Sequence, residues 1–490
     1  MIATNKEKFS PFLLLMIHLL DKINKKVLGP GMLISFSVKN FLSFNQEEEL
    51  SMVATSERKE KATLTNLKKY RLKILPIAAI YGANASGKSN FIKALHFLQN
   101  LVLKSASYQA LIPVRPYLFN ESSKENTVFN ISFLVGEEIF TYFVELNQKS
   151  IVKEVLSQTN SRRDVVLYKR ENGSVEVWED LAQAEELKIV ARRVGDKTLL
   201  LTMLTQMKFD EFLPVYEWFE KKLQIIFPHS SYVGYNRLID PENPQSTRSA
   251  EIFNEMGTGI NYLSTEPINI SDRLPDSFKE ELIASISKEG SQLLKFGDTG
   301  DGRLLASLEN GELKFERVVA AHKTNQGAIK TLPLEEESDG TRRFIDLVPS
   351  VLDLADKKEH SVYVIDEIDR SLHTDLTKGI VEKFLQTTGP DNNGQLIFST
   401  HDTNLLRRSK LRRDEIWFVR NQSNTGSQLI SVADFDGIRI DSSIQKLYEE
   451  GRFGAIPNIS GCSISVISKQ GYQWMSEIKI PSLDFGDCYG

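Results

Sequence analysis

Cysteine is almost absent from this sequence. Its 490 residues include two cysteines, Cys462 and Cys488, and both lie in the last thirty residues. This distribution excludes a disulfide framework, and it excludes a cysteine-built metal site in the body of the chain. Because low cysteine use is typical of a reducing compartment, we expect a cytoplasmic protein.

Long apolar runs and an excess of positive charge are lacking as well. The apolar run at 11–20, PFLLLMIHLL, is shorter than the roughly 20 residues that span a bilayer, so no stable membrane insertion is expected. Lysines before this run leave a signal peptide as an alternative, but no small-residue cleavage site follows it. Lys plus Arg total 60 against 65 Asp plus Glu, and this net charge of -5 argues against a globally basic nucleic-acid coat.

The composition is that of a globular protein long enough for two or three lobes. The chain is 41% hydrophobic and 26% charged, close to the average. The patterns predict a strand at 33–38, a hairpin at 128–146 that turns at 136–137, strands at 151–178, helices over most of 198–227 and over 276–294, and strands at 302–335. The last third alternates helices (341–355, 375–387, 402–408) with strands (361–367, 395–400, 415–419), which is typical of a mostly parallel α/β sheet.

A glycine-rich stretch follows the apolar run at 74–81. Residues 82–89 read GANASGKS and satisfy the pattern G-x-x-x-x-G-K-S/T. In this pattern the backbone N–H groups face phosphate oxygens, the lysine reaches the β- and γ-phosphates, and the serine hydroxyl binds Mg²⁺. A glycine-rich turn with a chance lysine would not explain the helical pattern that follows. The stretch therefore predicts a nucleotide-binding site, with Ser89 as a Mg²⁺ ligand, made by Gly82, Asn84, Ala85, Ser86, Gly87, Lys88, Ser89 and Asn90.

Two later strands end in residues that suit the same chemistry. The strand SVYVIDE finishes in Asp366 and Glu367, and the strand QLIFST is followed by His401. Ligands bind at the carboxyl ends of parallel strands. We expect Asp366 to hold Mg²⁺ through water, Glu367 to act as the general base on the attacking water, and His401 to reach the γ-phosphate or that water. The simpler alternatives are a solvated turn for the acidic pair and a structural role for the histidine.

The segment ESDGT, residues 337–341, precedes the helix predicted from Thr341. In the simpler interpretation, Ser338 or Thr341 is the N-cap of that helix. In the alternative, the serine hydroxyl and the backbone N–H groups of Ser338 and Gly340 meet the phosphate of a nucleotide on a second subunit.

Taken together, these motifs resemble the ABC-type ATPase heads of the SMC, RecF, RecN and OLD group. More narrowly, they are similar to the stand-alone bacterial AAA-15/AAA-21-type ATPases related to RloA, many of them linked to phage defence. The resemblance covers residues 32–459 and is carried by LISFSVKNFLSF, IYGANASGKSNFIKAL, EESDGTRRFIDLVP, VYVIDEIDRSLH and FSTHDTNLL, in that order.

The resemblance implies an α/β fold of the P-loop NTPase, ABC-ATPase head type, with a mixed sheet and flanking helices. It implies that ATP joins two heads. Ser338 and Gly340 of one head would contact the γ-phosphate bound by the other, and Asp369 with residues 371–373 would form a loop at the dimer seam. Leu42 stands where related heads often carry an arginine, so a cationic phosphate contact is missing or supplied elsewhere. ESDGT differs from the LSGGQ of membrane transporter subunits, which argues against that role.

The spacing of the motifs predicts an insertion in the head. Between Lys88 and Asp366 lie 277 residues, without the sustained heptads of a coiled coil. We expect five parts: an N-terminal extension at 1–31, the first half of the ATPase head at 32–104, an inserted β-plus-helical lobe with a β-arm at 105–330, the second half of the head at 331–459, and a C-terminal tail at 460–490.

Three functions remain open at this stage. The first is an ATPase that acts as a nucleotide-driven dimerisation switch, a homodimer or higher homo-oligomer, in an anti-phage or toxin-type defence system with a separate effector protein. The second is a RecF- or SMC-like DNA-repair or DNA-tethering ATPase, with DNA bound by basic clusters at 58–73 and 407–413. A solvated surface is the simpler interpretation of these clusters. The third is a non-catalytic, ATP-gated scaffold.

Overall fold

The computed structural model describes most of the chain between residues 30 and 455. The described ranges are 30–56, 63–108, 110–119, 124–159, 164–230, 235–271, 274–296, 302–355, 361–389, 394–408, 411–422, 425–435, 438 and 443–455. The strands are β1 (Gly31–Lys39), β2 (Glu48–Ser51), β3 (Thr65–Leu67), β4 (Leu72–Ile74), β5 (Ile77–Tyr81), β6 (Thr127–Val135), β7 (Glu138–Leu146), β8 (Ile151–Thr159), β9 (Asp164–Glu171), β10 (Ser174–Val177), β11 (Leu223–Ile226), β12 (Ile260–Pro267), β13 (Gln292–Phe296), β14 (Gly302–Glu309), β15 (Glu312–Lys323), β16 (Ile329–Pro333), β17 (Val362–Ile365), β18 (Gln395–Ser399), β19 (Ile416–Gln422) and β20 (Gly426–Ser431). The α-helices are α1 (Lys88–Lys104), α2 (Ala184–Ala191), α3 (Leu200–Gln206), α4 (Leu213–Glu217), α5 (Tyr235–Ile239), α6 (Pro244–Glu255), α7 (Asp276–Glu289), α8 (Asp339–Ala355), α9 (Thr374–Thr387), α10 (Asn404–Arg408) and α11 (Ile444–Glu449).

A six-stranded, mostly parallel sheet carries the sequence motifs. Its order is β11-β17-β18-β5-β19-β20, and only the last pair is antiparallel. Every residue of β5, β17 and β18 is buried, as expected for apolar strands that are covered on both faces. Because parallel strands end at the same edge, the loop at 82–89, Asp366 and His401 all follow strands at one edge of this sheet.

A seven-stranded antiparallel sheet continues from the first strand of the chain. Its order is β10-β9-β8-β7-β6-β1-β2. The hairpin between β6 and β7 turns at Gly136, whose φ of 63° lies in the left-handed region that glycine adopts without steric cost. Phe36 of β1 stacks on Phe129 of β6 and meets Phe91 of α1 edge-on, with 6.4 and 5.4 Å between ring centroids. This sheet therefore packs against the helix that follows the glycine-rich loop.

A third sheet forms a smaller layer, with the order β12-β15-β14-β13 and β16 paired with β15. Helix α7 packs on it, and Leu282, Ile286, Ala306 and Phe315 form a small core between them. The buried residues Val318 and Ala320 of β15 belong instead to the large core beside the six-stranded sheet. The third sheet is thus attached to the head through β15.

The predicted fold class is confirmed, because the structure is a mixed α/β arrangement with helices flanking the sheet that carries the loop at 82–89. The hairpin at 128–146 and the alternation in the last third are confirmed as well. The division of the chain into five parts stays a prediction. Residues 1–29 of the expected extension and the whole expected tail lie outside the described residues. In the described part of the chain, no helix has the length and apolarity to cross a bilayer.

Two secondary-structure predictions were wrong at their carboxyl ends. Residues 223–226, expected to continue a helix, form β11, which pairs in parallel with β17. The helix expected at 276–294 ends at Glu289, and residues 292–296 form β13. Both segments are short, partly apolar stretches that follow a helix, so their local pattern extends the helical one. Their strand partners are distant in sequence, and tertiary pairing overrides such a local preference.

Candidate functional site

The loop at 82–89 has the backbone of a tight cradle. Gly82 and Gly87 have φ angles of 153° and 116°, and Ala85 adopts a left-handed φ of 60°. A Cβ atom at Gly82 would stand 2.4 Å from the carbonyl oxygen of Val419, and one at Gly87 would stand 2.2 Å from Ser427 Oγ. Only glycine therefore fits these two positions.

A group of polar side chains supports this loop from behind. Ser427 Oγ donates a hydrogen bond to the carbonyl oxygen of Ser86 at 2.6 Å and lies 2.8 Å from Ser43 Oγ. Asn90 Nδ2, on the first turn of α1, donates to Ser43 Oγ at 2.9 Å. The loop is thus held by residues from the start of the chain and from β20, which the sequence patterns did not single out.

Lys88 begins α1 with its ammonium group folded into the loop. Its Nζ donates hydrogen bonds to the carbonyl oxygens of Gly82 and Ala83 at 2.7 and 3.1 Å. Burial lowers the pKa of Lys88 to about 8, although the carboxylates of Asp366, Asp369 and Glu367 raise it in part. A phosphate at the loop would raise the pKa of Lys88 again, because a nearby anion favours the charged ammonium.

Ser89 and Asp366 bring two oxygen atoms together. Ser89 Oγ donates to Asp366 Oδ1 at 3.1 Å, although 277 positions separate the two residues. Ser399 Oγ, at the end of β18, donates to the same Oδ1 atom at 2.6 Å and fixes the carboxylate. A hydroxyl and a carboxylate oxygen fit Mg²⁺, a hard cation that takes few protein ligands beside water and substrate phosphates.

Glu367 follows Asp366 with an uncommon backbone conformation. Its φ of 49° is rare for a residue other than glycine, and its N–H donates to Ser399 Oγ at 2.8 Å, which holds this conformation. Arg370 Nη1 lies 3.9 Å from Glu367 Oε2. Such uncommon backbone conformations are concentrated at functional sites.

His401 lies beside Lys88 at the same edge. The distance between Lys88 Nζ and His401 Nδ1 is 3.4 Å, and the His401 N–H donates to Asp369 Oδ2 at 3.1 Å. Burial and the neighbouring Lys88 charge lower the pKa of His401 from its ordinary value. At neutral pH the imidazole is therefore neutral and is able to accept or donate one hydrogen bond.

Ser338 and Gly340 lie apart from these residues. Ser338 Oγ accepts a hydrogen bond from the Thr341 N–H at 3.1 Å, so Ser338 is the N-cap of α8. A Cβ atom at Gly340 would stand 2.6 Å from the carbonyl oxygen of Ser371, so the start of α8 and the turn after β17 touch. Both Ser338 and Gly340 line a groove of about 620 Å³ that none of residues 82–90 lines. The structure thus brings together the loop, Asp366, Glu367 and His401, but it does not bring Ser338 or Gly340 of the same chain to them.

Sequence reasoning missed three contributors to this edge of the sheet. Ser399 orients Asp366 and Glu367, and its place near the carboxyl end of the strand predicted at 395–400 is a signal in the sequence. Arg343 of α8 donates from Nη2 to the Asp366 carbonyl oxygen at 3.3 Å. His229, after β11, lies 3.1 Å from Arg370 Nη1 through its Nε2 atom. No sequence pattern points to His229, because the residues before it predict a helix over most of 198–227 rather than strand β11.

One of the two basic clusters is partly structural. Arg412 is fully buried, and its Nε and Nη2 atoms donate to the two oxygens of Asp414 at 2.8 and 2.7 Å. Asp414 also accepts from the N–H and the hydroxyl of Thr55, both at 2.8 Å. Arg412 is therefore a core residue rather than a surface cation for DNA.

Comparison with known proteins gives a family match. The model of AAA_21, described as "AAA domain, putative AbiEii toxin, Type IV TA system", matches residues 77–407. Two solved structures show distant likeness, each over 82% of this chain and 98% of the other: the SMC head bound to the C-winged helix domain of ScpA (13% identity, TM-score 0.33) and the SMC head domain from Thermotoga maritima (15% identity, TM-score 0.30). A search of curated proteins gives no match.

Proposed function

Since the chain belongs to the AAA_21 family of AAA domains, with residues 77–407 covering its motifs, we propose that it binds ATP with Mg²⁺ and hydrolyses it to ADP and phosphate. The observation that carries this proposal is the 3.1 Å contact between Ser89 and Asp366. It joins the hydroxyl after the loop lysine to the carboxylate at the end of β17. These two oxygens are the pair needed beside a nucleotide's β- and γ-phosphates to hold the metal.

Each polar group at the edge of the sheet has a part in this reaction. The N–H groups of residues 82–89 and the Lys88 ammonium bind the phosphates. Bound Mg²⁺ would neutralise charge that develops on the β- and γ-oxygens. Glu367 accepts a proton from the attacking water, and His401 donates a hydrogen bond to the γ-phosphate. Ser399 and Asp369 are positioning residues for the acidic pair and the imidazole.

ATP binding also closes a dimer in this proposal. The cap of α8 at Ser338 leaves that helix N-terminus in a groove away from its own loop. The free N–H groups of a helix N-terminus suit an anion. Ser338 and Gly340 would therefore meet the γ-phosphate on a second copy, and two nucleotides would be buried in one two-fold interface.

The biological setting is the remaining part of the proposal. We place the protein in the cytoplasm, as the ATPase component of an anti-phage or toxin-type system that acts through a separate effector protein. The family's description as a putative toxin supports this setting. We also propose that the chain has five parts, in which residues 32–104 and 331–459 form the two halves of the ATPase head.

Phosphate release by the purified full chain tests the proposal. We expect ATP turnover in wild type, and an ATP affinity that is about 10- to 100-fold weaker in Lys88→Ala, because a charged hydrogen-bond donor is lost. Lys93→Ala is the matched control, since Lys93 lies exposed on the same helix. Nucleotide affinity that is equal in Lys88→Ala and Lys93→Ala would exclude this site. Tight DNA binding with a steep salt dependence would favour the RecF-like alternative instead.

A further inference from the structure

A second polar cavity lies at the same edge of the six-stranded sheet, beyond β17. It has a volume of about 400 Å³, within the usual range for small-molecule sites. Its walls come from the turn after β11, the start of α8, the turn after β17, and strands β13 and β14. We call it the arginine cavity, after Arg303, Arg342, Arg343 and Arg370 in its lining.

The lining of the arginine cavity carries an excess of positive charge. Five cations line it, Lys295 and the four arginines, against two carboxylates, Asp339 and Asp346. Asp339 is bonded to Arg342, and Asp346 lies 3.6 Å from Arg303. The lining thus carries three more positive than negative charges (five against two) in a protein whose net charge is -5, and one of its cations, Arg370, also lies 3.9 Å from Glu367 outside the lining.

Arg343 gives the strongest evidence that the arginine cavity binds an anion. Its side chain is buried, with 6% relative exposure. Within the described ranges, its Nη atoms donate to two carbonyl oxygens and to no carboxylate: those of Phe227 and Asp366, at 3.4 and 3.3 Å. Among the described residues, its Nε has no hydrogen-bond partner, and a buried cation without a paired carboxylate is costly to maintain. An anion in the cavity would offset this cost.

The arginine cavity is separate from the loop at 82–89 of its own chain, and Asp339 and Ser371 in its lining place it beside the seam of the proposed dimer. None of residues 82–89, Asp366 or His401 lines it. The guanidinium groups match phosphate geometry, because each presents planar, paired N–H donors that bind phosphate oxygens two at a time. We propose that the arginine cavity is a second phosphate-binding site, which takes the phosphate of a small phosphorylated molecule or the terminal phosphate of a nucleic-acid strand.

The test measures binding in full-length Lys88→Ala protein, so that the loop at 82–89 contributes little. The probes are inorganic pyrophosphate, followed by calorimetry, and a fluorescent oligonucleotide with either a 5′-phosphate or a 5′-hydroxyl end, followed by anisotropy. Lys295→Glu reverses an exposed charge in the lining, and Lys330→Glu is the matched control on the exposed face of β16. Arg303→Gln is a second cavity variant, with folding checked by thermal unfolding.

We expect Lys295→Glu to weaken phosphate binding at least about tenfold and Lys330→Glu to leave it within about twofold. Pyrophosphate binding without a preference for the 5′-phosphate oligonucleotide identifies a small phosphorylated molecule as the ligand. A preference for the 5′-phosphate end identifies a nucleic-acid terminus. Absence of binding by every probe, or equal losses in Lys295→Glu and Lys330→Glu, would overturn the proposal. The experiment measures phosphate binding in protein that lacks Lys88. A negative result would therefore contradict the second phosphate site and would not bear on the proposed ATPase activity.

Discussion

The Nζ atom of Lys88 lies 3.4 Å from the Nδ1 atom of His401. The two residues come from the helix after the loop and from the end of β18, and burial is the main cause of the lowered pKa of each. Two cationic groups at this distance disfavour each other's protonation. A bound phosphate would favour the protonated form of both residues and raise both pKa values. The titration of Lys88 and His401 gives two predictions.

The first prediction concerns the affinity for ATP at alkaline pH. The pKa of Lys88 is about 8 in the free protein, and a bound triphosphate raises it, so binding above pH 8 takes up a proton. The ATP affinity should then fall as the pH rises, by up to about tenfold per pH unit, the limit for one proton. Calorimetry between pH 8 and about 9.5 measures this slope. Lys88→Arg, which stays charged, should remove the slope, and a pH-independent affinity in wild type would contradict the prediction.

The second prediction concerns stability at acidic pH. The pKa of His401 is lowered in the folded protein from 6.5. Above that value the imidazole is neutral in both states and has no effect. As the pH falls through about 6.5, the unfolded chain takes up the proton first, so the free energy of unfolding decreases. His401→Gln should lose less stability than wild type between pH 7 and about 5.5 in urea titrations. If the free energy of unfolding falls equally in wild type and His401→Gln, the lowered pKa of His401 does not contribute to acid sensitivity.

The third prediction separates ATP binding from hydrolysis. Glu367→Gln keeps the size of the side chain but cannot accept the proton of the attacking water, so turnover should fall by about 10²-fold or more. ATP should still bind, and the ATP-bound dimer should accumulate in sedimentation experiments. Turnover within a few-fold of wild type would show that a residue other than Glu367 is the general base.

The fourth prediction concerns Ser338 acting across a dimer. Ser338→Arg should block closure by its bulk, while the exposed position leaves the fold intact. Mixing it with Lys88→Ala restores one complete site per hybrid dimer, so partial recovery of ATP turnover is expected. Because Ser338 also caps α8, Ser338→Asn is the matched control that keeps a capping oxygen. If both variants are folded and assemble with each other, and mixing restores nothing, the action in trans is wrong.

The fifth prediction tests the seven-stranded sheet. Glu154 is fully buried on β8, where it accepts hydrogen bonds from the hydroxyls of Tyr142 and Tyr168, both at 2.8 Å, and from the N–H groups of Leu200 and Leu201 at 2.7 and 3.0 Å. Glu154→Ala leaves all four donors unsatisfied and should lower the free energy of unfolding by about 3–5 kcal/mol.

Urea denaturation measures this loss, with Glu185→Ala as the control. Glu185 is exposed on α2, where it pairs with Lys188, so its removal should change stability by less than about 0.5 kcal/mol. A loss of less than about 1 kcal/mol in Glu154→Ala would show that the buried carboxylate is not needed to satisfy these groups.

The sequence predicts the residues of the candidate site that belong to local motifs. Lys88, Ser89, Asp366 and His401 each follow an apolar strand in a recognisable motif, and parallel strands place such ends together. Ser43 and Ser427 were not predicted, because a single serine outside a motif carries no pattern that marks it as a contact of the loop. Their contact with the loop depends on strands from opposite ends of the chain, which local reasoning does not align.

Strand β11 shows the same limit at the level of the fold. Three of its four residues are apolar and they follow a helical turn, so the local pattern does not separate a helix from a short strand. Pairing with β17, which lies far along the chain, decides between them. His229 and the arginine cavity were invisible in the sequence for that reason.

The order of the six-stranded sheet has a consequence for how the chain is made. Strand β5 lies between β18 and β19, and both are synthesised more than 300 residues after it. At roughly 5–20 residues per second, β5 waits about 15–60 s on the ribosome without either neighbour. During that interval the apolar strand β5 lacks both of its neighbours in the sheet. A nascent chain that stops before β17 carries the loop at 82–89 without Asp366, Glu367 and His401, the residues expected to complete the candidate site.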